Sequence, residues 1–272
     1  MAFRMPRGMA LVNVLLGGWS ALVLLFLYLP IFVVIAYSFN ESRTGVEFPS
    51  LTLKWYRELF LVDRYELLRP LKNSLIIAAI VTAVSSVLGT VGAWLLYQYR
   101  YKFDQMLATL ILTPMIVPEV IMGVSFLLLF KNLYIEDGFT RTTIAHITFC
   151  FPYVLIAVQA RLSGLDPSLM EAAMDLGAPP VKAFFKVIVP YLLPAIISGA
   201  LMSFTLSMDE VVVTWFTYDD DSRTLPVRVF EMARLGYRAE LNVISALMVF
   251  ATVILIVVAQ WLTLARADRK IR

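Results

Sequence analysis

Six apolar runs, each long enough to cross a lipid bilayer, leave this chain very few ways to fold. They cover about residues 11–39, 74–97, 106–130, 142–160, 190–216 and 241–264. A span needs roughly 20 predominantly apolar residues. Backbone polar groups in hydrocarbon must be paired within the protein, which admits only helices and closed barrels. Runs that are continuously apolar rather than alternating select helices. The 272 residues are 60% hydrophobic and only 16% charged, too apolar for an ordinary soluble domain. The expected fold is an all-α integral membrane protein, a single domain over 1–272 with six transmembrane helices. The first run follows Arg4 and Arg7. Its apolar part is too long for a signal peptide and no small-residue cleavage pattern closes it, so it reads as an uncleaved span.

Most informative among the polar segments is the insert between the fourth and fifth runs, EAAMDLGAPPVKAFFKVIVP, from Glu171 to Pro190. Asp166-Pro167 is a good helix start, with a carboxylate to cap free N–H groups and a proline pre-set for the first turn. Leu165, Leu169, Ala172, Ala173 and Leu176 then fall near helical spacing and give a short helix with one apolar face. Gly177 suits a left-handed exit, and Pro179-Pro180 forbids simple continuation. A second short helix is expected to carry Val181, Phe184, Phe185 and Ile188, with Pro190 in the first turn of the fifth span. Two short helices at a stiff corner can transmit push and pull. The Ala pair lets a partner surface approach closely, and Glu171 can accept charge-assisted hydrogen bonds from it.

The spacing of Glu171-Ala172-Ala173, Gly177, Val187 and Val189-Pro190 resembles the EAA loop of bacterial importer permeases driven by ATP-binding-cassette (ABC) subunits. Val187 and Val189 stand where that pattern has Ile and Leu, and both keep a branched apolar side chain. The segments TPMIVPEV, FTLSMDE and RTLPVRVF are similar to the polyamine branch of the family, and the resemblance covers essentially the whole chain. It implies the pore-forming subunit of an ATP-driven importer in the bacterial inner membrane, with the EAA coupling loop (161–189) on the cytoplasmic side. Glu171, Ala172, Ala173, Asp175, Gly177 and Pro190 would meet the ATPase. It further implies a heterodimeric pore with a second, similar permease, two copies of a cytoplasmic ATPase, and an extracytoplasmic binding protein. The chain has no GxxxxGK[ST] loop, so ATP and Mg would be bound by the partner ATPase and the chain itself would need no cofactor. No nucleic-acid partner is implied.

Charge gives the orientation only weak support, because the six-span topology puts 11 Lys and Arg inside and 12 outside. The basic tail after Trp261, with Arg266, Arg269, Lys270 and Arg272, is the best single indication. Two outer segments, 40–72 with Trp55-Tyr56 and 217–240 with Asp219-Asp220-Asp221 and Thr224-Leu225-Pro226, fit either contact with a binding protein or plain solvated loop. The first is also long enough for a short surface helix.

Three acids lie within predicted spans, Glu119, Asp209 and Glu210, and no Lys or Arg lies well inside any span. A carboxylate in lipid costs roughly 2.5 to 3.5 kcal/mol on insertion scales, so such groups normally face a cavity or a partner. With no basic partner in the chain, the cation can be the cargo. Pro114 and Pro118 free backbone carbonyls beside Glu119 and allow a bend that lines a cavity. Ser203, Ser207 and Glu210 share a helix face, with Asp209 about 100° round. The reading is a path for an organic cation lined by Glu119, Asp209, Glu210 and Ser207, with Trp215 adding cation–π attraction. Ordinary interfacial helix ends remain the alternative for Asp209 and Glu210, and a protonated or inter-subunit hydrogen-bonded carboxyl for Glu119. His146, a lone imidazole, reads as helix packing or a helix–helix hydrogen bond, and Cys150 as a buried packing residue. Met115, Met122, Met202 and Met208 read as packing, since no Cys or His joins them.

The expected cargo is a polyamine such as spermidine or putrescine. Related permeases carry opines, amino-acid-derived compounds or other small solutes, and a self-sufficient proton-coupled transporter would also use membrane acids. No catalytic constellation of Ser/His/Asp, Cys/His or metal type is present, so the chain is not read as an enzyme.

Overall fold

The computed structural model describes residues 7–42, 47–62, 67–98, 104–166, 168–236 and 238–271. Arg4, Pro167 and Arg272 lie outside them, as do the side chains of Trp261, Arg266, Arg269 and Lys270. The described chain is helical apart from loops and one isolated antiparallel bridge, Asn40 to Leu51. Its helices are α1 (Arg7–Tyr37), α2 (Lys54–Val62), α3 (Leu68–Gln98), α4 (Asp104–Leu112), α5 (Glu119–Asn132), α6 (Gly138–Leu162) and α7 (Ser168–Asp175). They continue with α8 (Pro180–Ala183), α9 (Val189–Asp209), α10 (Val212–Thr217), α11 (Leu225–Leu235) and α12 (Arg238–Ile271).

Two compact units emerge, one of Met1–Tyr65 with Glu231–Arg272 and one of Glu66–Phe230. In the first, α12 packs against α1 and α2. The stretch Leu15–Tyr37 buries nothing within the chain, which suits a helix whose surroundings are lipid or another subunit. The surface helix expected within 40–72 is α2. Its aromatic pair is used internally: the Trp55 indole donates to the Asn40 carbonyl at 2.9 Å and the Tyr56 hydroxyl pairs with Ser38 at 2.7 Å. Trp55 is therefore buried rather than offered to a binding protein.

The second unit is built on α3, α6 and α9. Lipid tails are as apolar as Leu, so helices in a membrane associate through close packing of small residues. Here Gly89 of α3 and Gly199 of α9 press on one side chain, Val154 of α6. A Cβ at Gly89 would lie 2.7 Å from the Val154 Cβ, and one at Gly199 would lie 2.9 Å from the Val154 Cα. Below this junction Leu155, Leu162, Leu165, Ile188 and Leu192 form one apolar cluster, and above it Ile77, Val81, Phe130, Phe149 and Val213 form another.

Loops are clasped to this core by hydrogen bonds. Ser74 accepts the Leu225 N–H at 2.9 Å, Asn73 donates to the Asp221 and Arg223 carbonyls, and Arg69 pairs with Asp221. Asp219 accepts the Gly138 N–H at 2.7 Å and closes a turn with Ser222. Partial burial pushes the Asp219 carboxyl up, but these donors outweigh it and hold the group below its ordinary value.

Two of the expected spans are interrupted. The run 106–130 is not one helix: α4 passes through a 3-10 turn, Thr113–Met115, and α5 leaves at 103° to it. Pro114 and Pro118 each lack an N–H and clash with a continuing turn, so the bend expected from them becomes a full break. The run 190–216 also departs from expectation. Its helix begins at Pro180 and reaches Asp209 through a π turn at Phe184–Ile188, so the second short helix is the start of this span. Val189 donates to Phe184, and the widened turn lies just ahead of Pro190, which has no N–H to give. Pro190 is the second residue of α9, in its first turn as expected, and the π turn joins it to the short helix before it. At the other end α9 stops at Asp209, and Trp215 belongs to the separate α10. Among the described residues four helices are long and apolar enough to cross a membrane, five with the bent pair, and Ala239–Ile254 is a shorter apolar stretch.

A methyl group at Gly89 or Gly199 has nowhere to go, whereas Gly17 has nothing within 4 Å. Gly89→Ala and Gly199→Ala should each cost about 1 to 3 kcal/mol through overpacking. Thermal unfolding of detergent-solubilised protein checks this, with Gly17→Ala melting like the parent; an unchanged melting temperature for Gly89→Ala would disprove the close approach.

Candidate functional site

Two places carry the sequence-derived candidates. The first is the elbow between α6 and α9. Asp166 accepts the Ser168 N–H at 3.0 Å, the cap expected of it, and this backbone hydrogen bond holds its carboxyl below the ordinary value. Glu171 lies in the first turn of α7, where the helix dipole favours negative charge. The helix closes in a Schellman turn: Ala178 donates to the Ala173 carbonyl at 3.1 Å and Gly177 to Met174 at 2.8 Å, with Gly177 at φ +82°. Glu171, Ala172, Asp175, Gly177 and Pro190 are exposed and Ala173 half-buried. So is the apolar rim of the corner, where Leu176 is 90% and Val181 70% exposed. Met170, Phe184 and Val187 face inward, against the cluster of Leu162, Leu165 and Ile188, and Ala183 is buried.

The elbow is anchored at its base. The Tyr191 hydroxyl donates to the Gly164 carbonyl at 3.0 Å, and the Arg161 guanidinium lies 4.3 Å from the Tyr191 ring centre. An exposed, partly apolar corner on a rigid base is suited to receiving a partner surface.

The second place is a pocket of about 410 Å³ between the two helix breaks. Its wall includes Met115, Pro118, Glu119, Phe149, Tyr153 and Glu210, and among the described residues no Lys or Arg. Glu119 opens α5, immediately after Pro118. Glu210 is the extended residue between α9 and α10, buried, and its Oε1 accepts the Val213 N–H at 2.7 Å. Close contact brings the two breaks together: a Cβ on Gly123 would lie 2.4 Å from Phe216, so only glycine lets α10 lie this near α5.

Of the five path candidates, the fold thus gathers Glu119 and Glu210. Asp209 is exposed and absent from the pocket wall, though within electrostatic reach of Glu210. Ser207 is buried against α6, where its hydroxyl meets His146 Nδ1 at 2.8 Å. Trp215 packs on Tyr218 and Phe230 instead of the pocket. The aromatic faces on the pocket are Phe149 and Tyr153. Their signal in the sequence was FCFPY, aromatic residues four apart around Pro152 in an otherwise aliphatic span. His146 makes the helix–helix hydrogen bonds expected of it, and Cys150 is buried beside the Ser203 carbonyl.

Residues 85–272 match the family described as binding-protein-dependent transport system inner membrane component. The chain belongs to that family. It is 34% identical over 248 residues to the spermidine/putrescine transport system permease protein PotC of Escherichia coli K12, covering 91% of this chain and 93% of that one. It is 37% identical over 263 residues to the putrescine transport system permease protein PotI of the same strain, covering 93% and 92%. Among solved structures, a bacterial ABC transporter involved in import of the acidic polysaccharide alginate superposes with a TM-score of 0.72. That match covers 97% of this chain and 99% of the other at 17% identity, a likeness of fold. Membership makes this inner-membrane permease a transport component homologous to ABC importer subunits rather than an enzyme.

Gly177 has open space around it, so only its positive φ resists substitution. Gly177→Ala should cost the turn about 1 kcal/mol and Gly177→Asn less, because Asn enters the left-handed region more readily. Trypsin cleavage at the neighbouring Lys182, timed on the purified permease, should be several-fold faster for Ala than for Asn; equal rates would mean the turn does not depend on this conformation.

Proposed function

We propose that this permease forms, with a second similar permease, the pore of an ATP-driven importer that carries a polyamine such as spermidine or putrescine into the cytoplasm. The observation that supports this most is the pocket where two helix breaks meet, walled by Glu119 and Glu210 with Phe149 and Tyr153 beside them and, among the described residues, no basic side chain. Two carboxylates in a low-dielectric wall favour a cation, and aromatic faces add cation–π attraction once water is displaced. Spermidine and putrescine are flexible chains bearing ammonium groups, so separated carboxylates can hold separate nitrogens. The polyamine permeases among the relatives point to the same cargo. Asp209, exposed and near Glu210, adds negative potential on that side, while Ser207 and Trp215 act through packing.

On this reading the domain spans 1–272, with six crossings once the bent α4–α5 pair and α12 are each counted. The elbow lies on the cytoplasmic side and seats in one of two ABC ATPase subunits, which bind ATP and Mg. Glu171 supplies the anchoring charge, and Ala172, Ala173, Asp175, Gly177 and Leu176 the surface of the corner. An extracytoplasmic binding protein delivers the cargo. Rigid movement of the elbow, carried by the continuous helix from Pro180 to Asp209, shifts the α9–α10 break and so opens the pocket to alternate sides.

The test is uptake of radiolabelled spermidine by cells carrying the complete importer. Glu119→Gln and Glu210→Gln, near-isosteric and neutral, should each lower uptake at least about tenfold, a loss of about 1.4 kcal/mol. The ATPase should still co-purify with both variants. Uptake at the parent rate would remove the pocket from the path. Glu171→Lys should act oppositely, losing the ATPase on purification; retention of the ATPase would sink the docking role, and uptake collapsed by an uncoupler without any ATPase would favour proton coupling.

A further inference from the structure

His146 is completely buried, makes two short hydrogen bonds, and has no part in the cargo path as described. Its Nδ1 meets Ser207 Oγ of α9 at 2.8 Å and its Nε2 meets Thr214 Oγ1 of α10 at 2.8 Å. One side chain of α6 thus bridges the two helices that flank the break at Glu210. One arrangement of the hydrogens pairs every polar atom of the bridge. In it Thr214 gives its single hydroxyl hydrogen to the Glu210 carbonyl at 3.1 Å and accepts from the His146 Nε2–H, while Ser207 donates to Nδ1. That arrangement corresponds to a neutral imidazole in its Nε2–H tautomer.

The bridge matters because α10 has only six residues and a helix that short does not hold itself. Beyond the burial of Val213 and the packing of Trp215, further contacts hold it in place. Phe216 rests on Gly123, Thr217 meets Thr142 at 3.1 Å near the far end, and Thr214 meets His146 one turn closer to the break. Thr214 also grips the Glu210 backbone, and Val213, next to it, grips the Glu210 carboxylate. A line of hydrogen bonds therefore runs from the α6 imidazole through Thr214 to the residue that presents charge to the pocket.

We propose that His146 is a positioning residue for the cargo: by tying α6 and α9 to α10 it holds Glu210 on the pocket wall shared with Glu119. This rests on the pocket being the cation path. Loss of the bridge should weaken capture of the cation more than the rate at which the loaded importer turns over.

The experiment measures KM and Vmax for radiolabelled spermidine in cells carrying the complete importer, with the permease quantified in membranes. Gln places an amide nitrogen near the Nε2 position and can keep the Thr214 bond; Asn can turn its amide oxygen toward the Nδ1 position, where it accepts from Ser207, and keeps only that bond. His146→Ala, His146→Asn and Thr214→Val should raise KM about tenfold with Vmax per permease within about twofold, and His146→Gln should stay near the parent. Thr142→Val, which loosens the far end of α10, should change KM much less. If His146→Ala does not accumulate, the Asn, Gln and Thr214→Val arms decide. The proposal is overturned if Asn rescues as well as Gln, if Thr142→Val matches Thr214→Val, or if KM stays unmoved. Glu210→Gln, run alongside, separates the two claims: parent-like uptake removes the path itself, whereas impaired uptake with unmoved His146 variants removes only the bridge.

Discussion

Backbone groups freed inside a membrane protein must find new partners, because hydrocarbon offers none. This permease interrupts two of its long apolar runs, and the site it builds follows from how those breaks are satisfied. At the first, Pro114 and Pro118 have no N–H to leave unpaired, and the Ile116 and Val117 N–H groups turn back onto the Thr113 carbonyl. At the second, the Glu210 carboxylate accepts the Val213 N–H and the Thr214 hydroxyl returns to the Glu210 carbonyl. Each solution leaves a carboxylate at the break. Gly123, by admitting Phe216, brings the two together on one pocket.

The rest of the second unit is built to keep those breaks in register. Packing of Gly89 and Gly199 on Val154 leaves α3, α6 and α9 little room to slide. The helical run that ends as α9 begins at Pro180 in the exposed elbow, with Ile188 and Leu192 buried farther along it and Tyr191 tied to the end of α6. The corner and the α9–α10 break are thus joined by one helical run, which contains the π turn ahead of Pro190 and Pro194 within α9.

Apolar run length and turn chemistry made much of this legible in the sequence. Gly177 in the left-handed region and Asp166 as a cap follow from local residue preferences, and both are found. The bent third span was foreshadowed by its two prolines. Hidden was the end of α9 at Asp209, since Met208 to Val213 contains no proline or glycine and the break depends on Glu210 folding back on α10. Periodicity put Ser207 on the face of Glu210 by continuing a helix that stops at Asp209, while Ser207 is occupied by His146; Trp215, read as a cation–π partner, packs on Phe230. Phe149 and Tyr153 escaped notice because aromatic residues in a span usually mean packing, and only the neighbouring break gives them a cavity to face.

Whether the pocket attracts and holds a cation can be measured without altering its charge. Val212 lines it and is not part of the carboxylate pair. A cysteine introduced by Val212→Cys in the assembled importer, with Cys150 buried and unreactive by burial, reports access through its rate of modification. A cationic methanethiosulfonate reagent should react at least about tenfold faster than an anionic one of similar size, and spermidine should slow it. Equal rates for the two reagents, unaffected by spermidine, would contradict a cation path between Glu119 and Glu210.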